Sequence, residues 1–205
     1  MEQIFCLPPH VETITLQGDQ TAYGIEFMLA KNKGHFNGWI SYAYSRSIIK
    51  VDGESYWEKI NNGISYPANY DKPHVINAVA NVRINRRISI SSNLAYSTGR
   101  PITLPQSILY INNNPYVEYS ERNAYRIPDY FRMDISLTVE GNLKRKKFMH
   151  SYWVFSIYNL TGRKNAYSVY FVSDNGYIKG YQYSVIGIPI FTVTWNFKLG
   201  NYASN

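Results

Sequence analysis

Tyr130-Phe131-Arg132-Met133-Asp134-Ile135-Ser136-Leu137-Thr138-Val139-Glu140 has the period of two expected of a β-strand. Successive side chains of an extended strand point to opposite sides. Phe131, Met133, Ile135, Leu137 and Val139 therefore share one face, which carries no charge. Tyr130, Arg132, Asp134, Ser136, Thr138 and Glu140 share the other. The same alternation recurs outward along the chain. Phe191, Val193, Trp195 and Phe197 oppose Thr192, Thr194, Asn196 and Lys198. Ile88, Ile90, Leu94 and Tyr96 alternate with Ser89, Ser91, Asn93 and Ser97, and Ser92 is the one break. A noisier run over 75–85 sets Ile76, Val82 and Ile84 against Asn77, Asn81 and Arg83. With 21–31, 37–49 and 148–160, and with the Phe191 segment spanning 189–199, this predicts an all-β chain of about seven antiparallel strands. Several exceed ten residues, where a globular strand usually has about five or six. No repeat or linker composition marks a boundary, so residues 1–205 read as one unit.

The connections add an asymmetry. Lys31-Asn32-Lys33-Gly34, Asn85-Arg86-Arg87 and Gly141 to Lys147 are short; 50–72, 101–128 and 161–188 are long. Short and long alternate strictly, which puts every long connection at one end of the sheet. Outer-membrane barrels are built so, with short periplasmic turns and long extracellular loops. A soluble sandwich also alternates in and out but gives no reason for that asymmetry. On the barrel reading Phe131, Met133, Ile135, Leu137, Val139, Phe191, Val193, Trp195 and Phe197 face lipid, and Asn81, Arg83, Arg132 and Asp134 face the lumen. A charge on the lipid side near midplane would cost about 2–4 kcal/mol.

Composition narrows the classes. Of 205 residues, 45% are hydrophobic, 17% charged and 16% aromatic, with 20 Tyr against 9 Phe and 4 Trp, and disordered chains lack such aromatic content. The longest largely apolar run, Val185 to Val193, is about half the roughly 18 residues that a membrane helix needs. A net charge of +7 and a pI near 9.3 permit an anionic partner. The single Cys6 makes no internal disulfide. Met1 to Pro9 has neither the basic start nor the apolar core of a signal peptide, so the chain reads as cytosolic or as part of something longer.

No enzyme constellation is present, and no cofactor is expected. His10, His35, His74 and His150 lack metal-ligand spacing, and there is neither a nucleophile elbow nor a phosphate-binding glycine loop. Asp52 and Glu54 flank Gly53 in what reads as a solvated turn. Asn159-Leu160-Thr161 has the form of a glycosylation sequon, which needs a eukaryotic secretory context. Lys144-Arg145-Lys146-Lys147, Arg86, Arg87, Lys31 and Lys33 all fall in the short turns, which favours a periplasmic rim over a nucleic-acid patch.

The long connections hold the candidate ligand residues: Tyr56, Trp57, Tyr66 and Tyr70; Tyr110, Tyr116, Tyr119 and Tyr125; and Tyr167, Tyr170 and Tyr177. Tyr supplies large contact area at low entropic cost, which suits ligand capture. An aromatic girdle, or loops packed on one another, is the other reading.

Several stretches resemble TonB-dependent outer-membrane receptors of Bacteroidetes type. Gly38-Trp39-Ile40-Ser41-Tyr42-Ala43-Tyr44-Ser45 is similar to one of their barrel strands. Tyr66-Pro67-Ala68-Asn69-Tyr70-Asp71-Lys72-Pro73-His74 is similar to a loop-to-strand entry. Ser97-Thr98-Gly99-Arg100-Pro101, Arg126 to Asp134, and Ser156 to Asn165 resemble further stretches of the distal barrel and its penultimate strand. The resemblance implies the C-terminal part of a plugged barrel of about 22 strands in the bacterial outer membrane. It implies active uptake of a scarce solute (siderophore, cobalamin, saccharide or peptide), with TonB engaged through an N-terminal region that has no counterpart here. Seven strands alone would neither close a barrel nor transport. The alternative is a soluble β-sandwich, a glycan-binding or adhesin-like module.

Overall fold

Runs rich in β-branched and aromatic residues, bounded by Gly, Pro and Asn, form strands because they suit a pleated, half-buried surface. In the computed structural model, which describes residues 15–112, 114–141, 149–174 and 177–199, fourteen strands result. They are β1 (Asp19–Lys31), β2 (Phe36–Lys50), β3 (Tyr66–Pro67), β4 (His74–Arg83), β5 (Ile88–Ser97), β6 (Pro101–Ile102), β7 (Pro105–Ile111), β8 (Asn114–Tyr119), β9 (Tyr125–Arg126), β10 (Tyr130–Glu140), β11 (Met149–Tyr158), β12 (Ser168–Asp174), β13 (Tyr177–Tyr183) and β14 (Ile190–Leu199). Every pairing is antiparallel, and no α-helix occurs among the described residues.

The seven long strands form one sheet in the order β1-β2-β4-β5-β10-β11-β14, with β3 added beside the upper end of β2. Each long strand thus lies beside the next long strand in the chain. The sheet is open: β1 and β14 are its edges, and no closed barrel forms among the described residues. The long strands run from 10 to 15 residues. Their positions follow the sequence alternation, and β10 coincides with 130–140.

Two of the connections expected as loops carry their own hairpins. Within 101–128, β7 pairs with β8, and β6 with β9; within 161–188, β12 pairs with β13. The connection 50–72 holds two single 3₁₀ turns, Tyr56–Glu58 and Asn61–Gly63. The opposite end of the sheet is closed tightly. Asn85 Oδ1 accepts from the backbone N–H of Arg87 at 2.8 Å and of Ile88 at 2.9 Å, an Asx turn. Gly34 supplies the left-handed φ of 103° between β1 and β2. Cys6, His10 and the basic run Lys144 to Lys147 lie outside the described residues.

Register gives each face of the sheet its chemistry. Residues directly opposite share a face, and one row runs Phe36, Val82, Ile90, Leu137, Phe155, Val193 across six strands. A second runs Leu29, Ile40, Ala78, Leu94, Met133, and a third Phe27, Tyr42, Ile76, Tyr96, Phe131. The opposite face is the more polar one, as in the row Asn37, Asn81, Ser91, Ser136, Ser156, Thr192, although Trp39, Val75, Val79 and Val154 also lie on it. Ser92, which breaks the alternation, lies on the apolar face between Ala80 and Ile135 without displacing the register.

This apolar face is uncovered among the described residues. Leu29 is 73% exposed and Phe191 74%, and no apolar side chain of the seven long strands is buried. The buried apolar residues, Val51, Tyr66, Ala68 and Ile127, all belong to the long-connection end. The packed interior lies there, above the sheet's rim.

Candidate functional site

The stretch Tyr66 to His74 turns sharply after β3. Ala68 N–H donates to the Ser47 carbonyl, and Asp71 N–H to the Ala68 carbonyl, each at 2.9 Å. This tucks the Asp71 carboxylate, whose side chain has no exposed surface, against β2. It accepts from Ser47 N–H at 2.7 Å and pairs with Arg46 Nε at 3.3 Å and with Arg126 Nη2. Arg126 Nη1 also donates to the carbonyls of Asp71 at 2.7 Å and Gly99 at 2.9 Å. A carboxylate buried without such partners would be strongly unfavourable; here it ties together β2, the β5 exit and β9.

A second knot secures the start of β10. Asp129 accepts from Gly99 N–H at 2.9 Å and from the Tyr96 hydroxyl at 2.8 Å. Those two hydrogen bonds, the Gly99 one first, hold its carboxyl below the usual carboxylate range. Position 99 must be glycine, because a Cβ there would lie 1.8 Å from the Ile127 carbonyl oxygen. The Asn165 side-chain amide accepts from Phe131 N–H and donates to Phe131 C=O, both at 2.9 Å, in place of a neighbouring backbone. Asn159, 1% exposed, donates its N–H to Asp134 Oδ1 at 2.9 Å. A side chain so buried rules out its sequon as a glycan acceptor in the folded protein. A third tie is Asn123, whose Nδ2 donates to the Pro67 carbonyl at 2.7 Å and to Asn69 Oδ1 at 2.8 Å.

These knots frame a cavity of about 490 Å³ at the upper edge of the polar face, lined in part by Lys72, Arg100, Tyr130, Arg132, Tyr158 and Tyr167. Arg132 crosses its floor. The guanidinium lies 4.6 Å from the Tyr158 ring centre, Nη1 donates to the Tyr158 hydroxyl at 2.8 Å and to that of Tyr130 at 3.2 Å, and Nε pairs with Asp134 at 3.1 Å.

The residues singled out in the sequence distribute unevenly. Asn81, Arg83, Arg132 and Asp134 share the polar face with one another. Phe131, Met133, Ile135, Leu137, Val139, Phe191, Val193, Trp195 and Phe197 share the apolar one, where Trp153 and Trp195 stack with ring centres 5.8 Å apart. Of the long-connection aromatics, Tyr56, Trp57, Tyr70, Tyr110, Tyr116, Tyr119, Tyr125, Tyr167, Tyr170 and Tyr177 are exposed. Tyr66 is not: it is 5% exposed and pairs with Ile49, so it belongs to the packed interior rather than to a capture surface. The exposed rings do not converge on one place. Tyr70 lines a separate groove along β1 and β2, and Tyr170 stacks on Tyr181 along the β12–β13 hairpin. Only Tyr167 among them reaches the cavity.

Lys72, Arg100, Tyr130 and Tyr158 were not foreseen there. Their signal lay in the strand-exit stretches themselves, since residues at the mouths of consecutive long strands must converge. His74 packs against Tyr42, His150 pairs with Glu140, and Asp52 pairs with Lys50 and Lys59, so these groups have structural partners. No family model matches the sequence, and comparison with curated proteins and with solved structures returns no match.

Proposed function

We propose that this chain forms part of the wall of a TonB-dependent transporter in the bacterial outer membrane, and takes part in uptake of a scarce solute without catalysing a reaction. The observation that supports this most is the segregation of the two faces. Seven long antiparallel strands carry aligned rows of exposed and half-exposed apolar side chains on one side and mainly Ser, Thr, Asn and paired charges on the other, with Trp39, Val75 and Val79 among them. Water disfavours so wide an exposed apolar surface, whereas a barrel wall needs lipid outside and polar groups within. The unpaired edges β1 and β14 fit a wall continued by further strands, because an open sheet edge is not tolerated in hydrocarbon. On this reading the hairpins and knots of the long-connection end are extracellular. TonB engages another part of the transporter, and nucleic acid is not a partner. A soluble sandwich needs a second sheet over the apolar rows, and none lies there among the described residues.

The test is accessibility. Spin labels at Met133 and Phe191, and at Ser136 and Thr192, are introduced into the protein as its own cells make it, with Cys6 replaced by Ser, and reconstituted into phospholipid vesicles. Relaxation by lipid-dissolved oxygen is expected at the first pair, and relaxation by a water-soluble nickel chelate at the second. The opposite pattern exchanges the two faces, since a one-residue shift does so. Water-soluble protein with no oxygen enhancement at any label rejects the membrane reading in favour of the sandwich.

A further inference from the structure

We infer that the cavity at the upper edge of the polar face is a binding site for a small oxyanionic solute, one carrying carboxylate, phosphate or sulfate groups. The inference rests on the transporter reading only in calling that solute the cargo. Its lining holds three cationic side chains, Lys72, Arg100 and Arg132, and no Asp or Glu. Three carboxylates belong to residues adjacent in sequence to the lining or paired with it. Asp71 is held by Arg46 and Arg126 and Asp134 by Arg132, while Asp129 keeps its charge on the hydrogen bonds from Gly99 N–H and the Tyr96 hydroxyl and lies in the field of Arg163 and Arg126. Arg132 is balanced by Asp134, and neither the Lys72 ammonium nor the Arg100 guanidinium makes an ion pair or a hydrogen bond among the described residues, the Ser45 hydroxyl donating only to the Lys72 carbonyl.

Two like charges on the lining of one concavity repel each other unless an anion lies between them, and walls of low dielectric strengthen their field; Lys72 also borders the groove along β1 and β2. Guanidinium and ammonium groups at the mouth of a concave site are the pairing that carboxylate and phosphate oxygens accept most strongly. The rest of the lining is mainly apolar or aromatic, with Ile127, Pro128, Val185 and Ile186 beside Tyr130 and Tyr167. The site therefore suits an anionic group attached to a body of some size better than a bare ion. About 490 Å³ falls within the range of small-molecule pockets.

Calorimetric titration of the reconstituted protein with citrate, with inorganic sulfate and with maltose tests the assignment. Citrate is expected to bind more tightly than either of the others, and to weaken as salt is raised. The double variant Lys72→Gln, Arg100→Gln is expected to lose at least tenfold in citrate affinity. The pair Lys33→Gln, Arg86→Gln, which removes equal charge at the opposite end of the sheet, is expected to lose less than twofold. Equal affinity for citrate and maltose overturns the site, as does full citrate affinity in the first double variant or an equal loss in the second. The spin-label experiment is independent. If the labels report water on both faces while citrate binding obeys Lys72 and Arg100, the transporter reading falls and the oxyanion site stands; lipid contact without citrate binding leaves the wall and removes the site.

Discussion

The seven-stranded sheet and the knotted end above it obey different physics. The sheet buries none of its apolar side chains and is held by backbone ladders and cross-strand pairs. The end above it buries Val51, Tyr66, Ala68 and Ile127 together with Asp71, Asn123 and Asn159, and is held by side-chain hydrogen bonds between segments distant in sequence. One region is finished by its surroundings, the other by itself. A substitution therefore acts through the solvent in the first and through lost partners in the second.

The largest contrast is expected at Asp71. Asp71→Ala leaves Arg46 and Arg126 without their buried counter-charge, and removing one member of such a group typically costs about 3–5 kcal/mol. Chemical denaturation of the reconstituted protein measures it. A loss below about 1 kcal/mol would show that the knotted end is not self-supporting. Next comes Ile135→Arg against Ser136→Arg, neighbours on opposite faces at the middle of β10. The first should lose about 2–4 kcal/mol in lipid, and the second little. Equal losses would erase the distinction between the faces.

Smaller is the Trp153–Trp195 stack. A double-mutant cycle to Leu should give a coupling of about 0.5–1.5 kcal/mol, as aromatic pairs do, read from the same denaturation curves. Zero coupling would mean that the surroundings of the sheet replace the contact. The smallest effect is expected from acid at Asp129. Its pKa in the folded state lies below the ordinary value of 3.8, so its contribution is complete above that value and fades as pH falls through the lower folded one. Asp129→Asn should flatten the acid limb of stability below about pH 4. An unchanged limb would place the acid sensitivity elsewhere.

The long strands were legible because alternation has a period of two and runs for ten or more residues. Even Ser92 did no harm, since a small residue fits beside Ala80. The hairpins were less legible. β7 and β8 flank an Asn-rich stretch with Asn112 at a φ of 50°, and Asn175-Gly176 falls between β12 and β13 in sequence, which is a recognised hairpin signal. Read as Tyr-rich loops, these segments lost that information. The knots were not legible by periodicity, because Asp71 meets Arg126 across 55 positions and Asn61 meets Arg122 across 61. Tyr66 misled for the same reason: its ring looked like part of a surface cluster, and only the fold shows what packs on it.

The Asn165 amide that fills in for a missing strand beside Phe131 bears on how the protein avoids assembling wrongly. Small residues are frequent in 77–81 and 89–95, where Asn77, Ala78, Ala80, Asn81, Ser89, Ser91, Ser92, Asn93 and Ala95 leave Val79, Ile90 and Leu94 as the larger apolar side chains that hold register by packing. A slide of one residue would move a strand's apolar side chains to the other face of the sheet. It would also shift Phe131, Gly99 and Ser47 by about 3.4 Å along their strands relative to Asn165, Asp129 and Asp71, which breaks the hydrogen bonds they make now. The knots thus work as a combination lock on alignment: each is satisfied by one setting of its strand, and together they admit a single one.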